Sequence, residues 1–343
     1  MLDLGSSTVA RPFGAEEPDV RRVHIPSDGV VEPVEAPRPL RIGLLNNMPD
    51  AALVATERQF RRAVGASATL RLFTLDGLPR GAAAEAHLAA GYAPHTALAA
   101  ADLDALIVTG CEPRPGPLED EAWFPDFAAV VDWAADHTVS TLFSCLGAHA
   151  AVLHRDGVAR RPLPAKHWGV FDCAAQADHP LLAGMPRTVP VPHSRWNDLA
   201  EPDLLERGYT VLRRSDAVGV DLFVREARSL LVFLQGHPEY DADSLPREYR
   251  RDMGRFLDGT RAVCPPLPEA TYTDEAARCH DAFAERARAG RDPGLMAAFP
   301  DLAAAPPRPA LWHHAAGQLF ANWLGQVAFR RAALDPHSVR GRA

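Results

Sequence analysis

The sequence predicts an α/β fold: a doubly wound, mostly parallel sheet flanked by helices, behind an extended N-terminal arm. Three observations carry that expectation. Short apolar runs ending in turn-forming residues recur between residues 40 and 144, as in strands buried on both faces of a parallel sheet. Stretches of helical length stand between them, so strand and helix alternate. A chain of 343 residues, 47% hydrophobic and 23% charged, is long enough to bury such a sheet without disulfide or metal staples.

The elements follow in order. Residues 1–39 are rich in Pro, Glu, Asp and Gly with no sustained period, and we read them as the arm. One α/β domain is expected over 40–331, with a tail over 332–343. Leu40-Arg-Ile-Gly-Leu-Leu-Asn46 is a buried strand. Over 51–64, Leu53, Phe60 and Val64 fall at helical spacing between charges, which predicts an amphipathic helix. Residues 69–75 alternate as a strand, 82–101 are Ala-rich and predicted helical, and 104–110 form another buried strand ending in Gly. A helix over 121–136, a strand over 140–144 and an Ala-rich helix over 146–155 complete the alternation. Beyond Val158, residues 188–191, 209–212, 219–224 and 230–234 are strand-like and are expected to finish the sheet with an antiparallel edge. Residues 246–290 read as mostly helical, 291–310 as a Pro-rich loop and 311–331 as a closing helix. The stretch 254–310 has no assigned role.

Charge and cysteine usage narrow the function. A net charge of −8 argues against a nucleic-acid or anionic-membrane surface. The long apolar stretches are all broken by charge or Pro short of a membrane span. Residues 1–20 show no basic start and no apolar core of a secretory signal. Cys111, Cys145, Cys173, Cys264 and Cys279 are odd in number and form no CxxC pair, which points to a reducing, cytoplasmic setting without structural zinc. Of 36 basic residues only Lys166 is a lysine. Where Arg has replaced Lys almost everywhere, a surviving Lys either marks a place for a compact ammonium that a planar guanidinium does not imitate or has persisted by chance.

Phe143-Ser-Cys145-Leu-Gly147 lies where a strand hands over to a helix. A nucleophile there is presented on a tight turn, with the Leu146 N–H and the helix N-terminus facing the sulfur. Taken alone, Cys145 reads first as a small buried hydrophobe, as most free cysteines are. Gln235-Gly-His237-Pro-Glu239 follows an apolar strand, so His237 projects at the sheet edge where ligands bind in such folds. Glu239 can hold its tautomer, which makes Cys145, His237 and Glu239 a candidate triad. Cys111, after a strand and a Gly, reads as a lining residue whose backbone N–H is a second candidate oxyanion donor beside that of Leu146. Lys166 falls between Pro162-Leu-Pro164 and His167-Trp on an expected constrained loop. Ser194 falls in Pro192-His-Ser-Arg195, and Arg251 falls on a helix that starts near Tyr240.

In combination these pieces resemble the homoserine O-succinyltransferase family, whose fold is similar to the class I glutamine amidotransferase domain. Leu44-Leu-Asn-Asn-Met-Pro49, Ala55-Thr-Glu-Arg-Gln-Phe60, Leu106-Ile-Val-Thr-Gly110, Ser140-Thr-Leu-Phe-Ser-Cys145, Pro192-His-Ser-Arg195, Gly236-His-Pro-Glu-Tyr-Asp-Ala242 and Asn322-Trp-Leu324 carry the resemblance. It covers roughly residues 20–260 and returns at 312–324. The resemblance implies Cys145 as the acylated nucleophile, His237 as general base and Glu239 as its orienting partner, with Lys166, Ser194 and Arg251 holding the amino-acid acceptor. It implies acyl-CoA as co-substrate, no metal or other cofactor, and transfer of an acyl group to the hydroxyl of homoserine in methionine biosynthesis.

The chain departs from the family at several places. Asp50-Ala51 replaces basic residues after Met-Pro, and His149 replaces a Gln. Arg114 stands where Gly accompanies succinyl-CoA and Glu accompanies acetyl-CoA. A guanidinium can clasp a distal carboxylate bidentately, which favours succinyl over acetyl. A glutamine amidotransferase-like C–N hydrolase, an acyltransferase for another hydroxy amino acid such as serine, and a non-catalytic binding module are the rival readings. A homodimer through the arm is the assembly considered.

Overall fold

The alternation of strand and helix is realised in the computed structural model, which describes residues 38–112, 116–303 and 305–334. The chain opens with β1 (Leu40–Leu45), α1 (Asp50–Val64), β2 (Ala68–Thr74), α2 (Ala82–Gly91) and β3 (Ala93–Pro94). β4 (Ala105–Val108), α3 (Phe124–His137), β5 (Ser140–Ser144) and α4 (Leu146–Asp156) follow. Then come β6 (Arg161–Ala175), β7 (Thr188–Asp198), α5 (Glu201–Glu206), β8 (Thr210–Ser215), β9 (Gly219–Arg225) and β10 (Leu230–Leu234). α6 (Ser244–Leu257), α7 (Asp274–Ala289) and α8 (His313–Leu334) close the described chain.

Among the described residues the strands form one sheet in the order β3-β2-β1-β4-β5-β10-β9-β8-β6-β7. Pairing is parallel from β3 to β10 and antiparallel from β10 to β7. The expected antiparallel edge is therefore a four-strand wing, and β10 inserts beside β5 at its inner end. Register places Val108 beside Phe143 and Ser144 beside Leu234, so the chain leaves β4, β5 and β10 along one carboxyl edge. That edge is where open α/β sheets bind ligands.

Side chains alternate to two cores, as period-two geometry requires. Phe73, Leu106, Phe143 and Phe233 meet Phe127, Val131 and Ala148 of α3 and α4. Ile42, Ile107, Leu142 and Val232 meet Phe60 of α1 and Phe320 and Trp323 of α8 on the other face. Each such Phe or Leu contributes about 1.5–3 kcal/mol relative to exposure. Asn322 and Trp323 serve this packing: Trp323 Nε1 donates to Ser140 Oγ at 2.9 Å, and Asn322 Nδ2 donates to the Leu181 and Ala183 carbonyls.

A third core joins the previously unassigned stretch to the rest. Trp168, Tyr249, Met253, Phe256, Phe283 and Phe299 pack α6 against α7 and β6. Gly169 (φ +149°) admits this connection: a Cβ there would lie 2.4 Å from the Glu269 carbonyl oxygen. The backbone of Glu269 instead pairs with Trp168 and Val170.

Three expectations need correction. The helix over 82–101 ends at Gly91, because Tyr92 is extended and Pro94 blocks continuation; a short strand and a 3₁₀ turn over His95–Ala100 follow. Lys166 lies within β6 rather than on a loop, at an irregularity where the pairing with β7 shifts between Pro162 and His167. Residues 258–273, inside the stretch read as mostly helical, are irregular between α6 and α7. Most of the arm, the end of the tail and Arg114 lie outside the described residues. No described helix is long and apolar enough to cross a membrane.

Candidate active site

Cys145 stands between the last residue of β5 and the first of α4, with φ 49° and ψ −112°. A side-chain-bearing residue in such a conformation costs on the order of 1–3 kcal/mol, held only where surroundings fix it. Here its N–H donates to the Leu234 carbonyl at 2.7 Å, and its own carbonyl accepts from Ala148 and His149 at 2.9 and 3.2 Å. The turn also needs Gly147, where a Cβ would lie 2.9 Å from the Val108 carbonyl oxygen. The first N–H groups of α4 have no intrahelical partner, and the positive end of the helix dipole lies at the sulfur.

His237 is set beside it by backbone bonds from the end of β10. Gln235 N–H donates to the Asp221 carbonyl and His237 N–H to the Pro192 carbonyl, each at 2.7 Å. His237 Nδ1 lies 2.8 Å from Glu239 Oε1, and the Tyr240 ring stacks on the imidazole at 4.2 Å. Glu239 is held in turn: Ser144 Oγ donates to its Oε1 at 3.4 Å, and Arg62 donates to its backbone carbonyl at 2.9 Å. Both His237 and Glu239 are buried. Burial opposes a charged imidazole, but the Cys145 sulfur and the Glu239 carboxylate outweigh it and hold His237 well above its ordinary value. By contrast, burial pushes the Cys111 thiol up to about 12.

Cys145, His237 and Glu239 open into a cavity of about 210 Å³. Leu146 and Cys111 line it, as do Lys166 from β6, Ser194 from β7 and Arg251 from α6. The structure thus brings together every sequence-predicted site residue it describes. Its central feature is Glu248 of α6, which Lys166 Nζ reaches at 3.2 Å, Ser194 Oγ also reaches, and Tyr240 Oη reaches at 2.8 Å. Burial alone would raise the Glu248 carboxyl, but the Lys166 charge and the bonds from Ser194 and Tyr240 bring it below its ordinary value. Asp252, one turn on, pairs with Arg251 at 2.8 Å and Arg261 at 3.3 Å. Lys166 Nζ also lies 3.9 Å from the centre of the Trp168 ring.

A homoserine O-succinyltransferase family model matches residues 33–333. The chain belongs to the homoserine O-succinyltransferase family. It is 60% identical over 332 residues to the homoserine O-succinyltransferase of Methylorubrum extorquens, covering 97% of this chain and 99% of that one. It is 47% identical to that of Bradyrhizobium japonicum, covering 87% and 91%. Among solved structures, a glutamine amidotransferase from Thermotoga maritima is 12% identical with a TM-score of 0.49, covering 84% of this chain and 99% of that one.

Within this family member, sequence reasoning missed the acidic half of the cavity. Glu248 and Asp252 were legible as spacing: 248, 251, 252 and 255 stand at i, i+3, i+4 and i+7 and share one helix face. What the spacing lacked was a partner, since Lys166 and Ser194 lie 82 and 54 residues away. His149 points away from the cavity chemistry and bonds Gln235 Oε1 at 2.8 Å. Asp50 accepts from the Gly81 N–H at 2.8 Å and pairs with Arg80.

Behind the site Cys173, His193 and Asp221 converge in ligand-like fashion. The Arg195 guanidinium faces His193 Nδ1 at 3.5 Å, the other ring nitrogen faces Asp221 at 3.2 Å, and Arg213 pairs with Asp221. Two buried guanidiniums already compensate the Asp221 carboxylate and face His193, which makes the cluster an internal hydrogen-bonded network packed against Gly236 rather than a cation site.

Proposed function

We propose that this protein transfers a succinyl group from succinyl-CoA to the hydroxyl of L-homoserine through an acyl-thioester on Cys145. The observation that carries the reading is Cys145 on its strained turn, facing His237–Glu239 and the Lys166–Glu248–Arg251 cluster in one cavity. Cys145 thiolate adds to the thioester carbonyl, and the oxyanion is met by the N–H of Leu146 and that of Cys111. The tetrahedral adduct collapses, the C–S bond to CoA breaks, and His237 supplies the proton that CoA thiolate takes. Homoserine then enters. Its carboxylate pairs with Arg251 and its ammonium with Glu248, so a zwitterion meets both charges it needs. Lys166 and Ser194 fix Glu248 and border the acceptor. His237, held by Glu239, takes the hydroxyl proton as the oxygen attacks, and Cys145 leaves as thiolate. Nothing beyond the acyl-CoA co-substrate is required, and the cytoplasm supplies both it and reducing conditions for Cys145.

Intact mass after mixing the protein with succinyl-CoA, and separately with acetyl-CoA, tests the reading. A gain of one succinyl group, absent in Cys145→Ala, is expected. An acetyl adduct alone would move the donor assignment. No adduct with either donor, together with ammonia release from glutamine, would overturn acyl transfer in favour of amide hydrolysis.

A further inference from the structure

The cavity of about 210 Å³ holds an acyl group and a small amino acid, but acyl-CoA is far larger than sites of this size accept. Its nucleotide end must therefore rest outside, on one side of the mouth. One part of the lining is formed by Met48 and Pro49 and continues into Asp50, whose carboxylate is paired with Arg80. Another part of the lining differs in kind. Trp196 lies two residues beyond Ser194 on β7, hence on the same strand face, lines the cavity with it and is 49% exposed. The Arg261 guanidinium sits 5.7 Å from the centre of its ring. Arg255, on the α6 face that carries Glu248 and Arg251, reaches the same mouth, and its partner is the exposed Glu112 at 3.0 Å. A surface pair of that type contributes roughly 0–1 kcal/mol and yields readily to a phosphate.

The stretch 254–310 is what builds this part of the lining. Arg261 is fixed by its own N–H on the Arg255 carbonyl, by Nε on the Val263 carbonyl at 2.9 Å and by Asp252. Arg288 and Arg291, exposed at the end of α7 and just beyond, approach Cys264 alongside Arg261. Arg291 also stacks on Phe256 at 4.3 Å. The result is a half-exposed indole with the Arg261 guanidinium beside it and Arg255 at the same mouth. Guanidiniums suit phosphate oxygens bidentately, and an exposed indole suits an adenine face.

We infer that Trp196, Arg255 and Arg261 form the docking site for the phosphoadenosine end of the acyl-CoA donor, with the 254–310 stretch as its scaffold. The inference rests on the acyl-CoA reading of Cys145, and a truncated donor separates the two. Cys145 acylation is followed by intact mass at subsaturating succinyl-CoA and, in parallel, at succinyl-pantetheine, which has the thioester but no nucleotide. Wild type is expected to prefer succinyl-CoA, and Trp196→Ala and Arg255→Glu each to reduce that preference at least tenfold. Trp196→Phe, which keeps an aromatic face, is expected to retain most of it. Raising salt from about 0.01 M to about 1 M shrinks the screening length from about 30 Å to about 3 Å and is expected to erode the wild-type preference. A preference untouched in both variants overturns the docking site while leaving acyl transfer standing. If neither donor acylates wild type, the acyl-CoA reading fails and the docking site with it.

Discussion

On one side of the cavity Cys145, His237 and Glu239 follow the ends of β5 and β10, neighbouring parallel strands whose register pairs Ser144 with Leu234. On the other side Glu248, Arg251 and Asp252 share one face of α6, and Glu248 meets Lys166 and Ser194 from strands far earlier in the chain. The first group is positioned by backbone: a strained φ at Cys145, and main-chain bonds to Leu234 and Pro192. The second is positioned by charged side chains that satisfy one another. On the function proposed above, reaction chemistry falls to the sheet edge, while acceptor recognition falls to a network that the incoming zwitterion must partly replace.

Removing the carboxylate behind the imidazole tests the first side most severely. Glu239→Gln keeps the volume but loses the charge that helps hold His237 above its ordinary value. We expect acylation by succinyl-CoA to slow by about 10²–10⁴-fold, from the usual scale of general-base catalysis and tautomer control. Single-turnover acylation measures it directly, and a change under threefold would mean that the backbone alone sets the imidazole. The second side predicts a different split. Glu248→Gln is expected to raise the homoserine KM roughly 10–100-fold, the value of a charge-assisted hydrogen bond, while acylation without acceptor slows far less. Equal losses in both half-reactions would show that the two sides are not separable.

The same contrast explains what the sequence disclosed. Strand exits, the Cys145 turn and the His237–Glu239 pair are local patterns, each within a few residues, so apolar runs and motif spacing revealed them. Lys166 was marked by composition, being the only lysine, yet its setting was misjudged: β6 continues through it by a shift of pairing that no local pattern encodes. Glu248 was passed over because a Glu on an arginine-rich helix looks like a solvated charge until Lys166, Ser194 and Tyr240 converge on it. The 254–310 stretch was opaque for a related reason. Its packing on Trp168 depends on Gly169 admitting the Glu269 backbone, a fit between segments a hundred residues apart.

The smallest expected effect concerns the support behind the catalytic edge rather than either side of the cavity. Gln235 Nε2 donates to the Val220 carbonyl at 2.8 Å, so its Oε1 faces His149 Nε2, which must carry the proton and donate. Burial, reinforced by the Arg195 charge, pushes His149 down to about 3 against an ordinary 6.5. The folded chain therefore leaves it neutral where the unfolded chain takes up a proton, and stability falls as pH drops below about 6.5. The slope from one such group is about 1.4 kcal/mol per pH unit. His280, pushed down to about 4 by burial, adds a second group with the same sign. His149→Gln keeps an N–H donor for Gln235 and removes the titration. Urea unfolding between pH 5 and 7 is expected to show a pH slope shallower by about one proton, with the denaturant m-value unchanged. An unaltered slope would place the acid sensitivity in the other histidines that burial holds down, His167, His193 and His280, instead. Lost acylation at neutral pH would show that the hydrogen bond behind the Cys145 turn, and not only the strain within it, positions the nucleophile.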